Sequence, residues 1–391
     1  MSDGRAIRLS IIGATGSVGS SVLRICRLFP DKFRIHSLCA QKNVERMRVL
    51  SEEFHPEKVL MTDANAASHL DAATGGSLHV LAGIEHMDDL VADDKVDQVI
   101  FASSGTDAIP SLQKALIADK NISLANKESI VVAGPWIMPL VRRTDQLRPL
   151  DSEHNAIWQC LKGEDNRKVA KIYLTASGGP FRNLSIEELR NVTPAMAVRH
   201  PVWQMGSKVS VDSSTLMNKG IELIEAANLF AVPPSQVTAL IHPSSLIHGI
   251  VEFSDHTFKM LASYPDMSLP AATAMAFPER LVIDDSSFGK YNPVDMDLHF
   301  EEPDMTRFPC LRLAMEAAAK GGPYPALLVG ADEVAVNSFL QGRISFPQIA
   351  DVVEKVMESW KNEDPRSLEE ALDVLSYGRL RAESAVLTQT R

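Results

Sequence analysis

Two acidic segments of this sequence carry the residue types that bind divalent metal ions. In the first, Asp151 and Glu153 are two positions apart, so an extended chain would project both carboxylates to the same side. Two converging carboxylates repel each other unless a cation or a proton lies between them, and oxygen ligands of this kind suit Mg²⁺ or Mn²⁺. The pair predicts a metal site, although Asp-x-Glu is also common in loops that only face solvent.

The second acidic segment leads into a predicted helix, which Asp212 or Ser213 is expected to cap. Asn218, Lys219 and Glu222 share one face of that helix, because residues three and four apart are neighbours on a helix surface. Hydroxyl, amide and ammonium groups of this segment suit a phosphate, and the Glu222 carboxylate offers a third metal ligand. An amphipathic helix with a merely structural Lys–Glu pair fits the same pattern.

A glycine-rich turn at residues 13–19 has the pattern G-x-x-G-x-x-G between an apolar strand and a helix. Such glycines let the backbone approach a pyrophosphate, and the helix N-terminus attracts its charge. The second strand leads into residues 41–43 (Gln-Lys-Asn), with no acidic residue before Glu45 to bind a ribose 2′-hydroxyl. Lys42 suits a 2′-phosphate, so the pattern predicts NADP rather than NAD. The alternatives are a turn that only packs helix on sheet and a solvated lysine.

Three further loops have the composition of ligand-binding segments. Residues 177–179 (Ser-Gly-Gly) follow a predicted strand and form either an anion-binding loop or an ordinary turn. Residues 198–208 include His200 and Trp203, the mix expected of a mobile flap, with a surface loop as the alternative. Residues 126–128 (Asn-Lys-Glu) follow a strand of the first sheet, at the strand end where α/β sheets bind ligands.

The elements that must position these residues change character near Pro149. Before it, strands alternate with helices, which predicts a doubly wound parallel sheet of the Rossmann type. The strands predicted there are Ile7–Ile12, Phe33–Leu38, Lys58–Met61, Gln98–Ala102 and Ile122–Leu124, and the first helix is Ser17–Phe29. The middle block is predicted to be α+β, with a helix at Ser214–Phe230 and strands at Val169–Leu174, Ala239–Ile241, Leu246–Phe253 and Thr257–Leu261.

The last part of the chain has only helical patterns and predicts a small helical bundle. Its predicted helices are Leu311–Ala319, Ala331–Leu340, Pro347–Trp360 and Leu368–Ser376. The expected domains are therefore a cofactor-binding domain at 1–150, a catalytic domain at 151–287, a linker at 288–304 and a helical domain at 305–391.

Composition bounds the class of protein. A chain of 391 residues can form two or three domains, and its formal net charge of −11 argues against broad nucleic-acid binding. The four cysteines are scattered and indicate no disulfide framework. We recognise no targeting peptide and no apolar run of ~20 residues, the length of a membrane span. The sequence therefore predicts a cytoplasmic protein without membrane or nucleic-acid partners.

Several stretches, in the same order along nearly the whole chain, match motifs of one enzyme family. The most specific are LDSEHNAIWQCL and RHPVWQMGSKVSVDSSTLMNKGIELIEA, and others are GATGSVGSSVL, LANKESIVVAG, TASGGPF, IHPSSLIHGIVEF and FPCLRLAMEA. On these motifs the chain resembles the 1-deoxy-D-xylulose 5-phosphate reductoisomerase family. The resemblance implies an NADPH-dependent oxidoreductase of isoprenoid precursor biosynthesis that uses Mg²⁺, Mn²⁺ or Co²⁺. It also implies a homodimer that converts its sugar phosphate substrate to 2-C-methyl-D-erythritol 4-phosphate.

The resemblance assigns roles to individual residues. Those implied to bind NADPH are Gly13, Thr15, Gly16, Ser17, Val18, Gln41, Lys42, Asn43, Asn126, Glu128 and Gly206. Those implied to bind substrate are Lys127, Ser152, Glu153, Ser177, His200, Ser213, Asn218, Lys219 and Glu222. The implied metal ligands are Asp151, Glu153 and Glu222, with the nearby Glu225 left aside. The residues implied to act in catalysis are Lys127, Glu153, His154, His200 and Trp203, and Met205 shares the flap.

Some positions depart from the family pattern, and two other classes of protein remain open. Gln41 replaces a small residue, and residues 255–257 (Asp-His-Thr) replace Asp-Gly-Ser in a predicted hairpin turn, which leaves the local strand pairing open. A semialdehyde-dehydrogenase type of oxidoreductase shares the glycine turn but needs a nucleophilic cysteine. An NADPH-sensing protein that is not an enzyme would need none of Asp151, Glu153 and Glu222.

Overall fold

The computed structural model describes residues 5–198, 206–284, 286–289 and 292–389. The chain divides into two compact units. The first comprises Met1–Ser129, Pro139–Asn155 and Asp266–Ser287, and the second comprises Ile130–Met138, Ala156–Pro265 and Phe288–Arg391. Residues 266–287, which the sequence analysis places with the catalytic domain, thus belong to the first unit. The division into functional domains with a linker stays a prediction.

The first unit is built on a sheet that has seven strands within the described residues, all of them parallel. The strands are β1 (Ile7–Ile12), β2 (Phe33–Ala40), β3 (Lys58–Met61), β4 (Val80–Ala82), β5 (Gln98–Phe101), β6 (Asn121–Leu124) and β7 (Leu147–Pro149). Their order is β4-β3-β2-β1-β5-β6-β7. The predicted doubly wound sheet is therefore confirmed, and β1, between β2 and β5, marks the point where the strand order reverses and where such sheets bind ligands.

Helices follow most of these strands. They are α1 (Ser17–Leu28), α2 (Val44–Phe54), α3 (Ala64–Ala73), α4 (Met87–Val91), α5 (Ile109–Ile117), α6 (Lys127–Ile137) and α7 (Ser152–Cys160). In α1, Val22, Leu23, Ile25 and Cys26 are buried, because residues at helical spacing share the face that packs inward.

The remaining helices lie later in the chain. They are α8 (Ile186–Leu189), α9 (Pro194–Ala197), α10 (Ser207–Thr215), α11 (Met217–Phe230), α12 (Ser268–Ala276), α13 (Pro309–Lys320), α14 (Tyr324–Leu340), α15 (Gln348–Glu358) and α16 (Leu368–Gln389). The helix α12 contacts α1, and its Ala274 carbonyl accepts a hydrogen bond from Arg148 Nη1 at 2.9 Å. These contacts explain why residues 266–287 belong to the first unit. In the second unit, α14 packs against α15 and α16, which confirms the predicted helical bundle.

The second unit contains a sheet that has four strands within the described residues, in the order β11-β10-β8-β9. The strands are β8 (Val169–Ala176), β9 (Val237–Ile241), β10 (Ile247–Phe253) and β11 (Phe258–Ala262). The antiparallel pair of β10 and β11 confirms the predicted hairpin. Its turn has no glycine: His256 takes a φ of 67°, and Asp255 Oδ1 accepts hydrogen bonds from the amide and hydroxyl of Thr257 at 3.0 and 2.7 Å.

The turn-rich stretch predicted as a linker packs against this sheet. Glu301 forms an isolated antiparallel bridge with Ile241, and Met296 and Phe300 pack against a buried cluster that includes Leu246.

In the part of the chain that the structure describes, no helix is both long enough and apolar enough to cross a bilayer.

Candidate active site

The glycine turn after β1 has the geometry of a phosphate cradle. Gly13 has a φ of 89°, and a Cβ there would lie 2.6 Å from the backbone nitrogen of Ser103. A Cβ on Gly19 would lie 2.4 Å from the carbonyl oxygen of Gly13, so α1 packs directly on the turn. Gly16 precedes α1, and no described side chain caps this helix start. These glycines let the backbone segments around the turn pack closely, and the first N–H groups of α1 suit a pyrophosphate.

The segment after β2, residues 41–43, offers groups for the predicted 2′-phosphate. The Lys42 side chain is 71% exposed, and its Nζ lies 3.9 Å from Asp63 Oδ2. Asn43 caps α2, because its Oδ1 accepts a hydrogen bond from the Arg46 amide at 3.1 Å. The side-chain oxygen of Asn43 is therefore occupied by this helix cap. Gln41, two residues earlier, is exposed.

Two charged residues at the start of α2, Glu45 and Arg46, bear on the predicted 2′-phosphate site. Hydrogen bonding to Arg48 lowers the pKa of Glu45 and holds this carboxylate in a surface ion pair. Arg46, which the sequence analysis missed, donates from Nη2 to Ser20 Oγ in α1 at 2.6 Å. Its guanidinium therefore links α2 to the helix that follows the phosphate turn. The signal was an arginine four residues after Lys42, since an arginine near this strand end often binds a 2′-phosphate.

Asn126 fixes the sheet edge beside the phosphate turn. Its side chain is fully buried, and its Nδ2 donates to the carbonyl oxygens of Ser103 and Gly105 at 2.9 and 2.6 Å. Its Oδ1 accepts from the amide of Ser129 at 3.0 Å, and Glu128 nearby is also buried. The Asn126 amide therefore joins the loop after β5 to α6, and the assignment of both residues to the cofactor stays a prediction.

The first acidic segment is a helix start, so its prediction as an extended chain is wrong. Asp151 lies directly before α7, and its Oδ1 accepts a hydrogen bond from the Glu153 amide at 3.3 Å. One oxygen of Asp151 nevertheless lies within 4.8 Å of one oxygen of Glu153. Lys127 Nζ lies 2.8 Å from Asp151 Oδ2, and Ser152 Oγ donates to Glu153 Oε2 at 2.5 Å. Helix capping, not strand alternation, brings the two carboxylates together.

His154 is fully buried, with Nδ1 3.4 Å from Asp151 Oδ1. A ring without exposed surface has little access to a substrate. The structure places His154 beside Asp151, and its assignment to catalysis stays a prediction.

The second acidic segment lies in two helices, so the continuous helix predicted at Ser214–Phe230 is wrong. Leu216, with a φ of 62° and a ψ of 9°, separates α10 from α11. Asp212 and Ser213 lie within α10 and do not cap the next helix. A non-glycine residue in the left-handed region is uncommon, and its side-chain type gave no signal of the break.

Two charged residues of α11 are buried and form the Lys–Glu pair that the structural alternative named. Glu222 is 1% exposed and Lys219 is 4% exposed. Lys219 Nζ donates to Glu222 Oε2, and Asn218 Nδ2 donates to Glu222 Oε1. Met217, on the apolar face, is buried as well. Burying a carboxylate together with the ammonium and amide groups that hydrogen-bond to it has a large desolvation cost. Such arrangements are typical of functional sites.

The loop after β8 lies against the end of α10. Gly178 and Gly179 take φ values of 86° and 70°, and the Gly179 amide donates to Ser177 Oγ at 3.3 Å. A Cβ on Gly179 would lie 2.8 Å from the carbonyl oxygen of Ser213. The structure therefore brings together the loop that carries Ser177 and the helix that carries Ser213, two residues predicted to bind phosphate.

The predicted flap falls mostly outside the described residues. His200, Trp203 and Met205 lie outside them. Gly206 is described and is exposed, with a φ of −62° and a ψ of 157°, directly before α10.

The cysteines argue against the semialdehyde-dehydrogenase alternative. In the described chain all four are free and buried. Burial raises the pKa of the Cys26 and Cys39 thiols to about 12 and that of Cys160 to about 11, and it also raises the pKa of Cys310. A nucleophilic cysteine needs a lowered pKa, so these thiols are unsuited to that chemistry.

Comparisons with known proteins agree along most of the chain. Family models match residues 9–134 (1-deoxy-D-xylulose 5-phosphate reductoisomerase), 147–230 (its C-terminal domain) and 262–380 (DXP reductoisomerase C-terminal domain). The chain is 42% identical over 374 residues to 1-deoxy-D-xylulose 5-phosphate reductoisomerase of Chlorobaculum tepidum, covering 95% of this chain and 97% of that protein. It is 43% identical to the Nitrosomonas eutropha protein of the same name, covering 93% and 90%.

Solved structures give the same result. The chain is similar to a DOX-P reductoisomerase crystallised with NADPH, fosmidomycin and magnesium, with a TM-score of 0.92, 35% identity and coverage of 98% of this chain and 99% of that chain. It is also similar to the Zymomonas mobilis enzyme in complex with NADPH, with a TM-score of 0.88, 34% identity and coverage of 97% and 99%.

Proposed function

The chain belongs to the 1-deoxy-D-xylulose 5-phosphate reductoisomerase family, and we propose that it carries out the family's reaction. In this reaction 1-deoxy-D-xylulose 5-phosphate rearranges to a branched aldehyde, which is reduced to 2-C-methyl-D-erythritol 4-phosphate. The observation that supports this most directly is the pairing of a dinucleotide turn with an oxygen-donor pair, Asp151 and Glu153, in one Rossmann-type unit.

The cofactor assignment is NADPH. The backbone at Gly13, the uncapped start of α1 and the cations Lys42 and Arg46 suit a dinucleotide with a 2′-phosphate. A similar protein was crystallised with NADPH, which supports this choice. When bound, NADPH would supply the hydride that reduces the aldehyde.

The proposed metal ligands are Asp151, Glu153 and Glu222. All three are carboxylates, the donor type that Mg²⁺ and Mn²⁺ prefer, and the first two already converge. When bound, the cation would polarise the ketone and neighbouring hydroxyl of the substrate. Lys127 at 2.8 Å from Asp151 and the buried Lys219 beside Glu222 partly balance the negative charge before the cation arrives.

The proposed phosphate pocket comprises Ser177, Ser213, Asn218 and Lys219, with His200 from the flap. The contact between Gly179 and the Ser213 carbonyl supports this grouping, because it places the two serine-bearing segments side by side. Phosphate binding away from the reacting carbons would orient the substrate and make flap closure favourable. The flap, with Trp203, would then exclude water from the aldehyde.

A single assay tests the function: NADPH oxidation with 1-deoxy-D-xylulose 5-phosphate, with and without Mg²⁺ or Mn²⁺. We expect turnover that disappears with a chelator, returns with the metal and gives one product, identified by mass spectrometry. Glu153→Gln should lose turnover, whereas Glu187→Gln, an exposed residue of α8, should retain it. NADPH binding without turnover in the intact, metal-loaded protein would instead support the sensing alternative.

We further propose that the protein is a homodimer that uses the edge of the second sheet. The outer strand β11 has an unpaired backbone edge within the described residues and exposes Phe258 (53%) and Met260 (44%). Exposed edges with apolar side chains favour pairing with another chain. Light scattering should report a dimer for the wild type and for Leu380→Lys, an exposed site in α16, and a shift to monomer for Phe258→Lys. A dimer unaffected by Phe258→Lys would place the interface elsewhere.

The proposed location is the cytoplasm, without nucleic-acid or membrane partners. Free, buried thiols suit a reducing compartment, and the net charge of −11 opposes binding to phosphate backbones. Cell fractionation with antibody detection would test the location, and recovery in an extracellular or membrane fraction would overturn it.

A further inference from the structure

We propose that Arg307 is a positioning residue for the substrate phosphate and acts through the loop after β8. The inference rests on the proposed function, because it concerns the pocket assigned above to that phosphate. Arg307 lies just before α13, in sequence far from every predicted site residue. Among the described residues, its side chain donates to Asp304 and to two backbone carbonyls, none of them assigned to the substrate, so its effect would pass through the backbone that it holds.

The loop at residues 177–179 needs an external support to keep its shape. Two of its three residues are glycines in the left-handed region, where the absence of side chains leaves the backbone with few restraints. Within the loop, the hydrogen bond from the Gly179 amide to Ser177 Oγ is long, at 3.3 Å. The loop starts directly after β8, which fixes its first end, so contacts on the chain that leaves the loop would help to fix its position against Ser213.

Arg307 is that anchor. Its Nη1 donates to the carbonyl oxygens of Arg182 and Leu184 at 2.8 and 3.0 Å, three and five residues after Gly179. Charge-assisted hydrogen bonds of this type are among the strongest that a side chain makes to the backbone.

The guanidinium is itself fixed in orientation. Arg307 Nε donates to Asp304 Oδ2 at 2.8 Å, and Asp304 Oδ1 accepts from the backbone amides of Thr306 and Arg307, both at 3.0 Å. One side of the planar group thus binds a carboxylate and the other binds two carbonyls. Lysine cannot reproduce this division, because its single ammonium lacks the fork of an arginine.

A second restraint acts on the same loop. A Cβ on Gly178 would lie 2.7 Å from Arg182 Cδ, so the alkyl chain of Arg182 lies under the loop. Arg182 Nη1 is 3.6 Å from Glu301 Oε1, and Glu301 exchanges two backbone hydrogen bonds with Ile241 at 2.8 and 2.9 Å. The segment from Glu301 to Arg307 therefore supports the loop at two points.

The test compares Arg307→Gln and Arg307→Lys with Arg312→Gln, a matched control in α13 whose guanidinium pairs with Glu316 and Glu354 on the surface. Steady-state kinetics would give kcat and the KM values for 1-deoxy-D-xylulose 5-phosphate and NADPH. Thermal unfolding with increasing inorganic phosphate would report on the pocket without turnover. Asp304→Asn provides a second route, because it releases the Arg307 guanidinium and leaves its charge in place.

For both Arg307 variants we expect the KM for the sugar phosphate to rise about tenfold, equivalent to about 1.4 kcal/mol of lost substrate affinity, because the loop is no longer held in place. The KM for NADPH should stay within twofold, and phosphate should stabilise the wild type and Arg312→Gln but not the Arg307 variants. Asp304→Asn should show the same pattern in weaker form. If Arg307→Gln does not fold, Arg307→Lys and Asp304→Asn decide the outcome.

A lowered unfolding temperature with an unchanged KM for the sugar phosphate would make Arg307 merely structural and overturn the proposal. A wild type that phosphate does not stabilise would also overturn it, even with turnover. Phosphate stabilisation that is lost in Arg307→Gln, in a protein without turnover, would support the role of Arg307 and refute the proposed reaction instead.

Discussion

Replacing Glu222 by Gln isolates the charge of one carboxylate at nearly constant shape. In the wild type this carboxylate accepts hydrogen bonds from Lys219 and Asn218 and is almost completely buried. The amide of Gln still offers one oxygen to Lys219, but the ammonium, itself only 4% exposed, loses its counter-charge. The variant should therefore affect both the stability of the metal-free protein and the affinity for the metal.

The stability effect can be scaled from the burial of the pair. Removing one partner of a buried ion pair costs about 3–5 kcal/mol, and the retained hydrogen bond puts Glu222→Gln near the lower value. For a unit of about 200 residues, each kcal/mol lowers the unfolding temperature by roughly 2–4 °C, so about 3 kcal/mol gives a fall of roughly 6–12 °C. Removing the ammonium as well, in Lys219→Met/Glu222→Gln, should recover part of this loss.

The assay is a double-mutant cycle at Lys219 and Glu222, measured by urea unfolding in the presence of a chelator. We expect the double variant to be more stable than the sum of the single changes predicts, by about 1–2 kcal/mol. In parallel, Glu222→Gln should weaken Mn²⁺ binding and lower kcat by at least about a hundredfold. A stability loss below about 1 kcal/mol, additive with that of Lys219→Met, would refute the buried-pair argument. Unchanged Mn²⁺ affinity would remove Glu222 from the metal ligands.

Three further changes have distinct expected results. Lys42→Ala should raise the KM for NADPH about tenfold and leave that for NADH unchanged, because only the 2′-phosphate needs the ammonium, and kinetics with both nucleotides checks this. Gly13→Ala should prevent NADPH binding in a fluorescence titration, because its Cβ would lie 2.6 Å from the Ser103 nitrogen at a φ of 89°; wild-type affinity would contradict the cradle. Burial tends to raise the pKa of Asp97, but hydrogen bonds from Arg8 lower it by more, so that the net pKa falls to about 2. The stability that Asp97 contributes is therefore complete above about pH 4 and lost as the pH falls towards 2, so Asp97→Asn should show a smaller drop in unfolding temperature over that range.

The sequence predicted the parts of this molecule whose signals are local. The apolar runs of β1, β3 and β5 and the glycine turn of residues 13–19 have unambiguous patterns, and the structure places them with shifts of at most one residue. β4 and β7 were missed, because three residues give too little pattern to recognise a strand. Three helices of the last part were predicted too short, and the one at Pro347–Trp360 was predicted too long. The start of α14 was missed because residues 326–330 are all buried and therefore lack the alternation of apolar and polar residues on which the prediction relied.

Features that depend on distant contacts were not predictable from local patterns. Residues 266–287 join the first unit through contacts such as Arg148 with Ala274, which have no counterpart in local sequence. The burial of Lys219 and Glu222 was also not predictable, because a polar helix face is normally exposed to solvent. By contrast, the helix start at Asp151 had a usable signal, since Asp is a preferred cap, and the sequence analysis gave strand alternation precedence over it.

The left-handed residue Leu216 has a consequence for the proposed phosphate pocket. In an uninterrupted α-helix, residues five apart are separated by about 140° around the axis, so Ser213 and Asn218 would point in widely different directions. The left-handed turn at Leu216 changes this angle, so α10 and α11, which follow each other without an intervening loop, can carry Ser213 and Asn218 in an orientation that one straight helix would not allow. Inserting or deleting a residue at this position would therefore rotate Ser213 relative to Asn218 and should weaken phosphate binding if both residues bind the same phosphate.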